Sequence, residues 1–281
     1  RNYRSTPEIV HTANRLMANQ PGALTLQAAT ADHSLPPAVT AYDDDRAEAA
    51  AVAGMIAGQI AAGTSPEEIA VLYRINAQSQ SIEAALTAAG VPFLVRGATR
   101  FFDQREVKEA IMLLRGASIT IATEPLFKSV SDVLRSIGWS QDPPESAGAV
   151  RDRWESLNVI MRLAEDASDE TTLREFVADL VDRQSSNTDP LRSAVNLATL
   201  HSAKGLEWDC VHIVGLNEGL LPISFARTTE AIDEERRLLY VGITRARRSL
   251  GMSWSASAQT GRGGRRTPSR FLEDVRDRPS H

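Results

Sequence analysis

Four short apolar runs limit what this chain can become. Residues 69–73, 91–95, 195–200 and 210–214 are too short for ordinary helices and are bounded by polar residues or Gly, so they read as buried strands. Between them, apolar residues recur at three- and four-residue steps. Ile9, Ala13, Leu16 and Met17 share one face behind Ser5-Thr6-Pro7-Glu8, a hydroxyl-capped helix start with Pro in its first turn, and Pro21-Gly22 closes that helix. Val52, Met55, Ile56 and Ile60 share a face over 46–62, and Asp43-Asp44-Asp45 ahead of them reads as a cap run. A further helix is expected over 81–89, short strands over 39–42 and 249–254, and helices over 232–245 and 269–275. Strands alternating with helices imply a parallel sheet covered on its faces, fold class α/β.

From residue 105 to about 184 the alternation stops and only helical periodicity remains, over 107–114, 126–137, 150–164 and 173–181, broken by Pro143-Pro144 and Gly148. The chain therefore divides into a discontinuous α/β part, 1–104 with 190–281, and an all-helical insertion, 105–189. At 281 residues each part is long enough for its own core. No apolar run reaches the roughly 18 residues of a membrane helix, and no basic-then-apolar leader opens the sequence. The single cysteine, Cys210, lies in an apolar run and reads as a reduced core thiol. These features together point to a cytoplasmic protein without membrane contact.

The net charge of −5 argues against wholesale electrostatic binding to nucleic acid, but the charge is unevenly spread. From Pro190 onward 14 Lys and Arg face 10 Asp and Glu, and from Arg245 to Arg270 there are seven Arg and no acidic residue. Arg262, Arg265 and Arg266 fall in a Gly- and Arg-rich stretch over 259–267, readable either as a phosphate grip or as a solvated tail. Only three lysines occur, so Lys204, within a polar cluster, supplies a compact point charge in a chain that otherwise prefers the guanidinium fork.

That cluster is Thr199-x-His201-x-x-Lys204-Gly205-Leu206-Glu207, which follows one apolar run and precedes another. In open parallel sheets ligands collect at the carboxyl ends of strands, and the Gly would let a backbone approach one closely. On the residues alone His201 is either a ligand contact or a loop histidine bonding backbone. The cluster resembles the fifth conserved motif of the UvrD/PcrA/Rep-type superfamily 1 DNA helicases. Asn2-Tyr3-Arg4-Ser5-Thr6 is similar to the fourth, and Glu234-Glu235-Arg236-Arg237-Leu238-Leu239-Tyr240-Val241-Gly242-Ile243-Thr244-Arg245-Ala246 to the sixth, in the expected order.

The resemblance implies a RecA-like parallel sheet, the second lobe of a P-loop NTPase-type motor, carrying a helical accessory subdomain. It implies ATP and Mg²⁺ as cofactors and single-stranded DNA as partner, with unwinding or translocation in the 3′-to-5′ direction. By the family pattern Arg4 and Arg245 meet the γ-phosphate, Arg245 as an arginine finger. Tyr3 stacks on adenine and Glu207 accepts from the ribose. Thr199, His201, Lys204, Arg74 and Asn76 contact the strand. Glu234 to Arg237 are expected as helix-surface or supporting pairs. Phe101 and Phe102 are expected in a core, with base stacking as the alternative.

No Gly-x-x-x-x-Gly-Lys-[Ser/Thr] and no strand ending in Asp-Glu is present, and no zinc, serine-protease or dinucleotide spacing occurs. The phosphate loop and Mg²⁺ ligands are therefore expected in a preceding RecA-like lobe of the same protein, and this chain alone is expected to hydrolyse no ATP. The insertion is short for the family and lacks its Gly-Ile-Gly turn, which leaves duplex contact open. A RecB/AddA-type helicase subunit and a non-catalytic DNA-binding or partner-recruiting module are the alternatives.

Overall fold

A computed structural model describes residues 2–18, 20, 22–30, 32–96, 101–120, 124–144, 149–168, 170–185, 193–258 and 265–275. Six strands form one sheet: β1 (Ala38–Tyr42), β2 (Ile69–Tyr73), β3 (Phe93–Arg96), β4 (Val195–Thr199), β5 (Trp208–Ile213) and β6 (Ala246–Ser255). Their order is β1-β6-β5-β2-β4-β3, and every pairing is parallel. All strands therefore start at one edge of the sheet and finish at the other.

Alternate residues of the central strands feed two cores, as the two-residue period of a strand requires. Ala70, Leu72, Ala198, Val211 and Ile213 face one core, with α1 (Pro7–Met17), α8 (Thr229–Ile243) and α9 (Phe271–Val275). Ile69, Val71, Tyr73, Leu197 and Cys210 face the other, beneath α2 (Asp45–Ala61) and α3 (Ser79–Ala88). Burial on both faces is why β2 reads as an unbroken apolar run. Asp44 caps α2, its carboxylate accepting from the Ala47 amide at 2.7 Å. Cys210 is a free, buried thiol.

The remaining helices, α4 (Arg105–Thr120), α5 (Leu126–Ser136), α6 (Ala149–Glu165) and α7 (Leu173–Ser185), close a separate apolar core. The chain splits into two compact units, Arg1–Ala98 with Pro190–His281, and Thr99–Asp189. The sequence division at 104/105 assigns Phe101 to the α/β part. In the structure its ring is fully buried in the helical core, edge-on to Phe102 at 5.0 Å. Base stacking on Phe101 is thereby ruled out by burial. Among the described residues no helix is long and apolar enough to cross a membrane.

His212, inside β5, is buried against α2, its Nε2 at 3.1 Å from Gln59 Oε1. Desolvation pushes its pKa down from 6.5 to about 4. The unfolded chain then binds a proton below pH 6.5 that the folded chain refuses down to about 4, so stability falls as pH drops through that window. At pH 5 the loss is on the order of 2 kcal/mol. The difference in unfolding free energy between wild type and His212→Gln is expected to change by that amount between pH 7.5 and 5, measured by urea titration. A pH-independent difference would contradict a neutral buried imidazole.

Candidate functional site

The amino edge of the sheet gathers residues from three distant stretches. Ala246 opens β6 and pairs with Trp208, which opens β5, and the Trp208 amide donates to the Arg245 carbonyl at 3.0 Å. Glu207 and Arg245 thus lie one residue outside neighbouring strand starts. The chain's first residues are pinned to the same place. Ser5 Oγ donates to the Ala246 carbonyl at 2.8 Å, and the Thr6 amide to the Arg247 carbonyl at 3.0 Å. Asn2 Oδ1 accepts from the amides of Arg4 and Ser5, at 2.8 and 3.0 Å, which shapes the turn that presents Tyr3 and Arg4. Arg4 forms an ion pair with Glu207, and the Tyr3 ring stands 76% exposed.

Arg245 does not point off the helix into solvent, as its place at a helix end suggests. Its Nε donates to the Val241 carbonyl and its Nη1 to the Leu206 carbonyl, both at 3.0 Å, and its Nη2 to Thr244 Oγ1 at 3.2 Å. The last carbonyls of α8 need such donors, which explains the fold-back. Burial pushes the pKa of this guanidinium down, Arg4 pushes it the same way, and Glu207 and Tyr240 oppose. Among the described residues no carboxylate pairs with Arg245. Its direct hydrogen-bond partners are thereby carbonyl and hydroxyl oxygens, with Glu207 acting on it only from a distance.

Arg247 completes the cluster, and no motif singles it out. Its Nε donates to Asp209 at 2.8 Å, its Nη1 lies 3.4 Å from Glu207, and its Nη2 pairs with Glu68. Arg247 lies two residues beyond Arg245, half-buried at the start of β6.

The other candidate residues lie at the opposite edge. Thr199 ends β4, and the next amide, Leu200, donates to the Tyr73 carbonyl at the end of β2. Thr199 Oγ1 accepts from the Ser202 amide at 3.2 Å and contacts Ser202 Oγ at 2.9 Å, capping the following turn. His201 and Lys204 are exposed on that turn. Gly205 sits at φ +87°, a backbone conformation that favours glycine, with nothing within 4 Å of where a Cβ would stand. Residues 200–207 therefore run from the carboxyl edge back to the amino edge, burying Leu200 and Ala203 on the way. The expectation of one polar cluster at the end of a strand is corrected: Glu207 lies at the other edge.

Arg74, expected on the DNA strand, is committed elsewhere. Its Nε and Nη2 grip both carboxylate oxygens of Glu235 at 2.9 and 2.8 Å, and the side chains are only 14% and 8% exposed. Glu235 is correspondingly no helix-surface residue. Arg236 is likewise interior, donating to the Leu16 carbonyl at 2.9 Å, pairing with Asp274 and lying over the Phe271 ring. Only Glu234 and Arg237 form the expected surface pair, at 2.9 Å. Asn76 follows Arg74 in a 3₁₀ turn, with its buried Oδ1 lacking a hydrogen-bond partner. Arg265 is exposed, whereas Arg266 donates to Ser255 Oγ at 3.2 Å and lies 3.5 Å from Asp45. Arg262 lies outside the described residues.

The donor set at the amino edge suits a nucleotide: an accessible ring, two guanidinium groups and a carboxylate. Among the described residues no three His, Cys, Asp or Glu side chains are grouped to hold a metal ion. The model of the UvrD-like helicase C-terminal domain matches residues 1–141 and 121–257. The chain belongs to that family.

Relatives of this UvrD-like domain are longer proteins. The ATP-dependent DNA helicase UvrD2 of Mycobacterium tuberculosis H37Rv is 43% identical over 286 residues, covering 98% of this chain and 41% of its own. DNA helicase II of Haemophilus influenzae and the ATP-dependent DNA helicase PcrA of Bacillus subtilis are each 28% identical, over 98% of this chain and 49% of theirs. The chain thus spans from about two fifths to half the length of these relatives.

Within this UvrD-like domain, Gly242 brings α8 tight against Leu200 of the 200–207 crossing. A Cβ there would run into Leu200 Cδ2 and lie 3.2 Å from Ile213 Cδ1, both side chains being fully enclosed. Overpacking of this kind costs about 1–3 kcal/mol, more than the roughly 1 kcal/mol that Ala gains over Gly in a helix. Gly54 in α2 is exposed, with nothing within 4 Å of where a Cβ would stand. Gly242→Ala is expected to lower the urea midpoint and Gly54→Ala to raise it; equal stabilisation by both would contradict the packing described.

Proposed function

We propose that this chain is the C-terminal part of an ATP-dependent DNA helicase that tracks single-stranded DNA 3′ to 5′. Its α/β unit would be the second RecA-like lobe and its helical unit a reduced accessory subdomain. The observation that carries the reading is the convergence of Arg4, Glu207 and Arg245, from three family motifs, on one sheet edge. The names of its relatives support ATP dependence and DNA as substrate class.

Phosphoryl transfer asks mainly for positive charge where the γ-phosphate gathers negative charge. Arg245, with no carboxylate of its own, is suited to act as the arginine finger. Arg4 would exchange Glu207 for phosphate oxygens. Glu207, still within reach of Arg247, would remain oriented for the ribose, and Tyr3 would offer its exposed face to the base. The bound nucleotide would supply the free energy for lobe closure. We assign no Mg²⁺ ligand to this chain; those ligands and the phosphate loop belong to the partner RecA-like lobe of the same protein. His201, Lys204, Thr199 and Asn76 remain the proposed strand contacts. Arg74 is left out of that set, because meeting phosphate would leave the buried Glu235 unpaired, a loss of about 3–5 kcal/mol.

Arg245→Ala in the full-length protein is expected to lower DNA-stimulated ATPase about 10³-fold or more, as loss of arginine fingers does. Affinity for single-stranded DNA should be retained. An unchanged turnover would favour a non-catalytic DNA-binding module instead.

A further inference from the structure

The Arg74–Glu235 fork joins residues 161 positions apart and has no place in the reading above. Glu235 is 6% exposed and also accepts from the Ile223 amide at 3.2 Å, so one carboxylate ties the end of β2 to the segment leaving β5 and to α8. For stability alone, an apolar pair of similar volume usually serves as well as a buried ion pair. What the fork supplies in addition is fixed geometry at the carboxyl edge. The Arg74 and Ile75 amides are each held by Gln78 Oε1 at 3.0 Å, so the turn that carries Asn76 moves with Arg74.

From Glu235, α8 runs toward the amino edge. Ten residues later, about 15 Å along a helical rise, comes Arg245. Leu239 is fully buried between them, and Gly242 is packed against Leu200 and Ile213 with no room for a methyl group. Arg245 is bonded to the Val241 carbonyl of the same helix. α8 is therefore a stiff element through which a shift of the Arg74 turn can reach Arg245.

We infer that Arg74 and Glu235 are a positioning pair, linking the strand-contacting edge to Arg245 through α8. The inference rests on the helicase reading and deepens it: DNA at the carboxyl edge sets the placement of the finger at the amino edge. Arg74 then acts through Glu235 rather than on phosphate.

The test is a double-mutant cycle in the full-length protein with Arg74→Met, Glu235→Gln and the two combined. ATPase is measured with and without single-stranded DNA, together with KM for ATP and DNA affinity at two salt concentrations. Each single change is expected to lower the DNA-stimulated kcat by about tenfold, the scale of a long-range coupling energy. The DNA-free rate, KM and DNA affinity should stay within about twofold, and the double variant should be no worse than either single, as for residues acting as one unit. Should a single variant fail to fold, the double decides alone. It is neutral and keeps an acceptor for the Ile223 amide, and it should still lose stimulation.

Folded variants that keep full stimulation would overturn the inference. So would weaker DNA binding with a reduced salt slope in Arg74→Met but not in Glu235→Gln, which would make Arg74 a phosphate ligand. Absence of DNA-stimulated ATPase in the unsubstituted protein, by contrast, would overturn the helicase reading and the inference together.

Discussion

An all-parallel sheet has two chemically different ends, and that asymmetry organises this domain. Every strand begins at one edge and finishes at the other, some 17 Å away for a five-residue strand. Residues just before strands, Glu207 and Arg245, are thereby kept apart from residues just after them, Arg74 and Asn76. Two elements connect the edges on the same face of the sheet, the 200–207 crossing and α8, and they meet at Leu200 and Gly242. A domain that must relate two ligands can do so through such a contact without a large interior rearrangement.

The electrostatics of the amino edge follow from which arginine is satisfied. Arg247 is surrounded by Glu68, Glu207 and Asp209 and is in that sense complete. Arg4 shares Glu207 with it, and Arg245 has only carbonyl and hydroxyl oxygens. The charge most in want of an anion is therefore the one held most firmly by backbone. Such a group costs little reorganisation when an anion arrives, which is the condition for strong electrostatic stabilisation.

Much of the architecture is legible in the amino-acid order because local and global preferences agree. The strand at 69–73 has the observed bounds, and the helices lie within a few residues of their periodic stretches, with α4 extending furthest beyond its own. Where sequence reading fell short, the missing information was long-range. β6 is longer than its apolar run because Ala246 pairs with Trp208 at the start of β5 and Ser255 pairs with Tyr42 at the end of β1. Phe101 belongs with the helices, a packing fact that periodicity before the first helical turn cannot supply. Arg4, Glu207 and Arg245 of the candidate site are singled out by their motifs, but nothing in residues 199–207 says that Thr199 and Glu207 finish at opposite edges. Arg74 and Glu235 each look like surface charges; only a contact across 161 residues makes them a buried pair.

The claim on which the account turns is that the amino edge, at Tyr3, Arg4, Glu207 and Arg245, is where nucleotide meets this chain. Photolabelling the full-length protein with an azido-adenine nucleotide, followed by peptide mapping, tests it most directly. The account predicts label on the peptide containing Tyr3, abolished by excess ATP. ATP-protected label confined to the carboxyl edge, at residues 74–78 or 200–204, would contradict it.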